Sequence, residues 1–434
     1  MRTKSMTRHN GELYVGERKL SELAKTYQTP LYVYDETGIL DKIRIFETFF
    51  TSQKFACEVI YASKAFLAPR LCHILNDHRF GIDAVSAGDL HLIEKSGFDP
   101  HRIVLHGNNK SDEELELGVA MGVEYLVVDN YPELIKLKHL SETKKTVVHT
   151  LFRVNPGINA HTHAYIETAL LSSKFGESIY DGAMMEKISK TYQESPYLVL
   201  DGFHAHIGSQ INNPNSFTKE AKTMMAFIRK FQDAQPIPIR VLNLGGGFGI
   251  KYLDDDQEIN LENMLGKTVK TVESLCKKYE IKLEKLLIEP GRSLVGDSGF
   301  TLYRCGGNKQ TVGGKNYLFI DGGMADNIRP ALYQAKYTVE IANRADSTIK
   351  KDTKIYDVVG KCCESGDIIA KDIPIPEAQD GDTVVVYSTG AYCYSMSMNY
   401  NGLVRGAVIF VNGKDAFIAI NRESYDHLIE TCHF

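Results

Sequence analysis

The sequence predicts an α/β plus all-β protein: a (β/α)8 barrel of the TIM type joined to a β domain. Three observations carry that prediction. Between about residues 55 and 290, eight short apolar runs alternate with helix-like stretches, and eight strand–helix units are the arithmetic of such a barrel. Polar and charged residues stand at the ends of all eight runs, where a barrel carries its functional rim. After Gly299 the texture changes to strand-like runs with little helical spacing between them. An open doubly wound sheet is the alternative for the first span.

The eight runs are Glu58–Ser63, Phe80–Val85, Arg102–His106, Tyr125–Asp129, Val147–Val154, Leu200–Ile207, Arg240–Leu244 and Lys285–Glu289. Helix spacing falls between them, over Leu67–Asp77, Asp89–Ser96, Asp112–Gly122, Pro132–Leu140, Phe217–Asp233 and Leu261–Tyr279. In the second half Tyr317–Ile320, Tyr337–Ile341, Ile355–Val359, Thr383–Val386 and Ala407–Val411 read as strands. Asn412-Gly413 is a hairpin signal. Leu13–Val15 and Leu31–Tyr34 also read as strands and are expected to join a β-sandwich or barrel domain, making it discontinuous. The expected division is a barrel over 36–290 and a β domain from 1–35 and 291–434.

Composition narrows the function. Of 434 residues, 43% are hydrophobic and 24% charged, as in soluble globular proteins and unlike disordered or fibrous ones. No apolar run approaches the roughly 18 residues of a membrane helix. The net charge of −5, without a basic stripe, argues against nucleic acid. The polar stretch Met1–Leu20 does not read as a secretory signal, so a cytoplasmic protein with free thiols is expected. Its eight cysteines are scattered. Cys362 and Cys363 are adjacent and in strand geometry would point to opposite faces.

The rim residues suggest chemistry. Lys64 follows the first run, where burial would lower its pKa and make the amine nucleophilic; a solvated surface lysine is the plainer reading. Asp83 ends the second run. His204 and His206 are two apart on a strand and would face the same way, which suits a metal or ring stacking. His161 and His163 form a second pair. Gly245, Gly246 and Gly247 open a GGGFG turn whose N–H groups could converge on phosphate, or which is simply a tight turn. Arg292, at the next rim position, could add a cation. Glu289 is a carboxylate ending an apolar strand and needs a partner, either a pyridinium or an internal ion pair. In the β half, residues 360–367, the Asp321-Gly322-Gly323-Met324 turn with Arg329 and Tyr333, and Gly390-Ala391-Tyr392 suggest a composite site closed over the barrel mouth.

Taken together, YASKA at 61–65, HGNNK at 106–110, HIGSQ at 206–210, NLGGGFG at 243–249 and IEPGR at 288–292 resemble the fold-type III pyridoxal-phosphate decarboxylases. DGGM at 321–324, IRPALY at 328–333, CESGD at 363–367 and GAYCYSMSMNYN at 390–401 extend the resemblance over nearly the whole chain. It implies a barrel carrying a β domain, and pyridoxal 5'-phosphate as cofactor. Lys64 would hold that cofactor covalently, Glu289 would pair with the pyridine nitrogen, His206 would stack on the ring and Asp83 would support it. Ser209, Gly245, Gly246, Gly247, Gly291, Arg292 and Tyr392 would complete the cofactor contacts. Arg292, Arg329, Tyr333, Glu364 and Tyr392 would face the substrate, and Cys363 would return a proton to the α-carbon. The resemblance further implies a homodimer whose active site is shared through the Cys363–Glu364 loop.

Within that family, Arg329-Pro330-Ala331-Leu332-Tyr333 matches the branch acting on meso-2,6-diaminopimelate, the last step of lysine biosynthesis, with L-lysine and CO2 as products. The ornithine branch carries an acidic residue there, and an ornithine- or lysine-type decarboxylase is the alternative. Asp89 stands where the family usually has Glu, and residues 166–170 depart from its pattern. From other classes, His204 and His206 could belong to a barrel metallohydrolase, or the chain could be an inactive binding homologue; retention of Lys64 and Cys363 argues against the latter.

Overall fold

The computed structural model describes residues 2–158, 173–344 and 353–434. The His161/His163 pair and the loop 166–170 lie outside the described residues. The chain divides into two compact units. One comprises Ile43–Gly249 and Ile259–Gly291, the other Met1–Lys42, Ile250–Glu258 and Arg292–Phe434.

The first unit is a closed barrel. Its strands are β1 (Ala56–Ala62), β2 (Gly81–Ala84), β3 (Ile103–Leu105), β4 (Tyr125–Val128), β5 (Val148–Asn155), β6 (Leu198–His204), β7 (Val241–Asn243) and β8 (Lys285–Ile288). Each pairs in parallel with the next, and β8 closes on β1 with Lys285 opposite Ala56 and Ile288 opposite Val59. Closure rules out the open sheet. Every expected run contains a strand; β5 runs one residue past its apolar run, and the other seven strands stop earlier than theirs, so Ser63, Asp129 and Glu289 stand just beyond strand ends. Ile60, Val104, Leu151, Val241 and Leu287 fill one core cluster. Full burial of such a side chain contributes about 1.5–3 kcal/mol.

Helices return the chain between strands. Asp112–Met121 begins with a capping box, Ser111 Oγ accepting from the Glu114 N–H while the Glu114 carboxylate accepts from the Ser111 N–H. Leu261–Tyr279 matches the expected span, whereas Gly182–Gln193 and Glu36–Phe49 were not anticipated. The buried face of the first holds only Met185, Ile188 and Tyr192 as large apolar side chains, with Ser189 and Thr191 among them, and the second begins where the barrel was expected to start.

The second unit is built around a nine-stranded sheet. Gly299–Gln310 runs through it, antiparallel to Leu31–Asp35, Thr383–Val386 and Asn316–Ile320. Leu31–Asp35 also pairs with Ala407–Asn412, so this N-terminal strand sits inside the sheet as expected. The Asn412-Gly413 hairpin forms, with Asn412 opposite Asp415 and Gly413 at φ +58°. Gly299–Gln310 and Ile368–Pro376 escaped the sequence pattern because glycine interrupts the first and proline and lysine the second. Residues 36–42 and 250–258 sort with this unit, although the sequence put them within the barrel span. The second segment is held there by hydrogen bonds from Thr338 Oγ1 to the Tyr252 carbonyl and from Ser388 Oγ to the Lys251 carbonyl, 3.1 and 3.4 Å long.

Candidate active site

In the barrel unit the ionisable groups gather at the strand ends. Glu289, just past β8, is buried. Its Oε1 accepts from His106 Nε2 and Asn243 Nδ2, both at 2.7 Å, and its Oε2 accepts from His204 Nε2 at 3.2 Å. Burial works against ionisation, but His106 and His204 hold this carboxyl well below the usual range. His204 is itself pushed down to about 4 by burial, which Glu289 offsets only in part; it is a neutral donor. Three donors thus keep Glu289 a fixed carboxylate in a site of low dielectric, where ion pairing is strong.

Asp83, at the end of β2, is also buried, with Oδ1 lacking a hydrogen-bond partner among the described residues. Burial pushes its carboxyl up to about 6, with His106 and Lys64 pulling it down and Glu289 adding to the rise. Lys64 lies in the single turn Ser63–Ala65 directly after β1 and is exposed. Ser63 and Ala65 are buried, whereas Lys64, which the sequence reading expected to be buried, is exposed and stands close enough to Asp83 and His206 to act on both. Ser63 Oγ donates to Asp89 Oδ2 at 3.1 Å, and the same oxygen accepts from the Val85 N–H at 3.0 Å. The Asp89 carboxylate thereby ties the Lys64 turn to the end of β2.

His204 and His206 do not form a chelating pair among the described residues. Strand β6 ends at His204, which engages Glu289, whereas His206 is half-buried beyond it and its Nδ1 accepts from the Gly246 N–H at 3.3 Å. Burial, then Lys64 and Arg153, push the His206 imidazole well below its usual value. The ligand-type atoms that do converge are those of His106, His204 and Glu289, within 4.8 Å of one another. The glycine run also differs from a simple phosphate nest. The Gly245 N–H donates to Asn243 Oδ1 at 2.8 Å, and the Gly246 N–H is taken by His206. Gly245 needs its positive φ of +59°, and a Cβ on Gly246 would stand 1.9 Å from the Glu289 carbonyl oxygen. The run lets three strand ends meet so closely that Glu289 is seated by it.

In the β unit two buried arginines converge. Arg329 Nη1 donates to the hydroxyls of Tyr252 at 3.1 Å and Tyr337 at 2.6 Å, and Arg292 Nη1 donates to the same Tyr252 hydroxyl. The Tyr392 ring lies 4.9 Å from the Arg292 guanidinium and 6.0 Å from that of Arg329, and Tyr333 lies 5.9 Å from Arg329. Arg329 has no carboxylate partner among the described residues. In the 361–367 loop, the buried Asp367 accepts from the N–H groups of Met324 and Cys362 at 2.6 and 2.8 Å. Cys362 is buried and its thiol is pushed up to about 11, chiefly by burial, while Cys363 and Glu364 are exposed. The stretch is a loop and not the strand considered for it, and of the two neighbouring thiols only Cys363 is exposed.

Sequence reasoning missed His106, Asn243, Tyr252 and Tyr337 as individual contributors. His106 had a signal, since it ends an apolar run, and Asn243 a weaker one, as a polar residue one short of the end of its run. Tyr252 and Tyr337 had none, because a tyrosine in a polar stretch or a strand looks like ordinary packing. Ser209 is half-buried and Gly291 buried; the ideal Cβ of Gly291 would lie 3.0 Å from Ala65 and 3.1 Å from Ala62, which keeps the β8 end against the Lys64 turn.

The residues present fit pyridoxal phosphate. A fixed carboxylate suits a protonated ring nitrogen, the orphaned Asp83 oxygen suits a cationic neighbour, and an accessible amine stands at the β1 end. Comparison with known proteins agrees. A model of the pyridoxal-dependent decarboxylases, pyridoxal binding domain, matches residues 38–296. The diaminopimelate decarboxylase of Bacillus subtilis (strain 168) is 40% identical over 426 residues, 98% of this chain and 96% of that protein. That of Staphylococcus aureus (strain COL) is 38% identical over 421 residues, 97% of each. Among solved structures, the diaminopimelate decarboxylase of M. jannaschii in complex with L-lysine superposes with a TM-score of 0.91 at 30% identity, covering 100% of this chain and 99% of that one. With such identity along nearly its whole length, the chain belongs to the diaminopimelate decarboxylase family of pyridoxal-dependent decarboxylases.

Proposed function

We propose that this protein decarboxylates meso-diaminopimelate to L-lysine and CO2 with pyridoxal phosphate as cofactor. The observation that carries the reading is Glu289, buried and held ionised by His106, His204 and Asn243. Facing a pyridine nitrogen, such a carboxylate would keep it protonated. When bound, pyridoxal phosphate supplies an electron sink for the pair left at the α-carbon as CO2 departs. Lys64 would hold the cofactor covalently and yield it to the substrate amine. His206 would lie against the ring, with Asp83 as a supporting charge. Ser209, Gly245–Gly247, Gly291, Arg292 and Tyr392 would complete the binding.

Arg292 and Arg329, with Tyr333 and Tyr392 beside them, would receive a substrate carboxylate, and the exposed Glu364 an ammonium. Cys363, the outward thiol, would deliver the proton that replaces CO2 at the α-carbon. Cys362, buried with a raised pKa, is unsuited to that task. A solved lysine/ornithine decarboxylase shares the fold at 21% identity, so substrate must be tested directly. With added pyridoxal phosphate, CO2 release is expected from diaminopimelate, and far less from L-lysine or ornithine in parallel. Release chiefly from ornithine or lysine would assign the other branch. Borohydride followed by mass spectrometry should leave a pyridoxyl group on Lys64, and an adduct elsewhere would overturn its role.

A further inference from the structure

We propose that Tyr252 and Tyr337 are positioning residues that hold Arg292 and Arg329 together as one receptor for a substrate carboxylate. The inference rests on the proposed function and adds how the two cations are kept in register. Tyr252 Oη accepts from both guanidiniums, and Tyr337 Oη accepts from Arg329 at 2.6 Å. The Tyr252 ring lies 5.7 Å from Arg292 and 5.5 Å from Arg329, and it meets the Tyr337 ring edge-on at 5.5 Å. Two cations drawn to one neutral oxygen repel each other, and burial makes the repulsion stronger. Neither phenol neutralises them. Arg329, whose hydrogen-bond partners among the described residues are these hydroxyls and not a carboxylate, is satisfied in charge only when an anion arrives.

The hydroxyl protons separate the two tyrosines. Tyr337 Oη lies 3.7 Å from Cys393 Sγ, and Cys393 Sγ in turn lies 3.7 Å from the Ala391 carbonyl. A carbonyl can only accept, so the thiol proton goes there, and the Tyr337 proton goes to the sulfur. That chain is closed. Arginine can only donate, so both bonds at Tyr252 fill its acceptor positions and leave its own O–H undirected. Tyr252 is thus expected to serve twice, bridging two cations and offering a donor to the carboxylate they attract. A Tyr252 without its hydroxyl would leave the ring packing intact and the arginines unbridged.

Tyr252→Phe and Tyr337→Phe test this in the holoenzyme. For Tyr252→Phe, the KM for diaminopimelate should rise on the order of 10- to 100-fold, the range for a hydrogen bond to a charged group, with kcat changed far less. Tyr337→Phe should give a smaller rise. Inhibition by pimelate, which carries only the two carboxylates, should weaken in the same ratio, and inhibition by cadaverine, which carries only the two amines, should not move. Pyridoxal phosphate content and absorbance should match the parent. Unchanged pimelate inhibition in Tyr252→Phe would overturn the proposal, as would loss of cofactor in place of loss of carboxylate affinity. If the parent released no CO2 from diaminopimelate while pimelate binding still fell on substitution, the functional reading would fail and the carboxylate receptor would stand.

Discussion

At the scale of single residues, the barrel mouth balances carboxylates against histidines. Asp83 is raised to about 6 and His204 lowered to about 4 in the folded chain. A raised carboxyl stabilises the fold at low pH and loses that contribution as pH rises through the folded value; a lowered imidazole contributes at neutral pH and loses it as pH falls. Between pH 6.5 and 4.5 the two therefore oppose each other, each with a reach of roughly 2–3 kcal/mol. Asp83→Asn removes one side. Urea midpoints should show the variant losing stability more steeply than the parent as pH is lowered over that window. Parallel slopes would mean that Asp83 is ionised throughout.

At the scale of elements, loops and strand ends carry the site, and their glycines and carboxylates set its geometry. Gly246→Ala places a methyl group 1.9 Å from the Glu289 carbonyl oxygen. Neither backbone can yield without moving the end of β7 or β8. The expected outcome is a chain that loses pyridoxal phosphate binding, read from its visible absorbance, together with a lowered melting temperature. A soluble variant with parental absorbance would show that the β7–β8 junction is pliable. Asp367 has a comparable place in the other unit, since its two oxygens secure both ends of the turn pair that presents Cys363.

At the scale of the whole molecule, the exposure of Cys363 and Glu364 in the single chain supports the expectation that a second copy receives them. Isologous dimers exchange the same residues in both directions. Lys64→Ala and Cys363→Ala should each be inactive alone. If the site is shared, mixing them under conditions that exchange subunits should restore about a quarter of parental activity, because half the dimers are mixed and each holds one intact site. No recovery, with subunit exchange verified, would place both residues in one subunit's site.

How much of this was legible follows from the kind of signal each feature leaves. The barrel strands are marked by apolar runs, because burial on both faces demands them, and the rim is marked by polar residues where those runs end. The reacting types at positions 64, 289 and 363, and the arginines at 292 and 329, stand in motifs that point to pyridoxal phosphate chemistry from the chain alone. Other features are properties of three-dimensional neighbourhood. His106, His204 and Asn243 come from three different strands, and only barrel closure brings them to Glu289. The apparent His204/His206 pair dissolves because β6 ends between them. The glycine run is a requirement of packing, and Lys64 is exposed where burial was expected. The sequence by itself determined the fold class and the chemical groups at hand. Tertiary structure alone decided which groups hold one another and in what ionisation state, because hydrogen bonding and desolvation depend on atoms far apart in the chain.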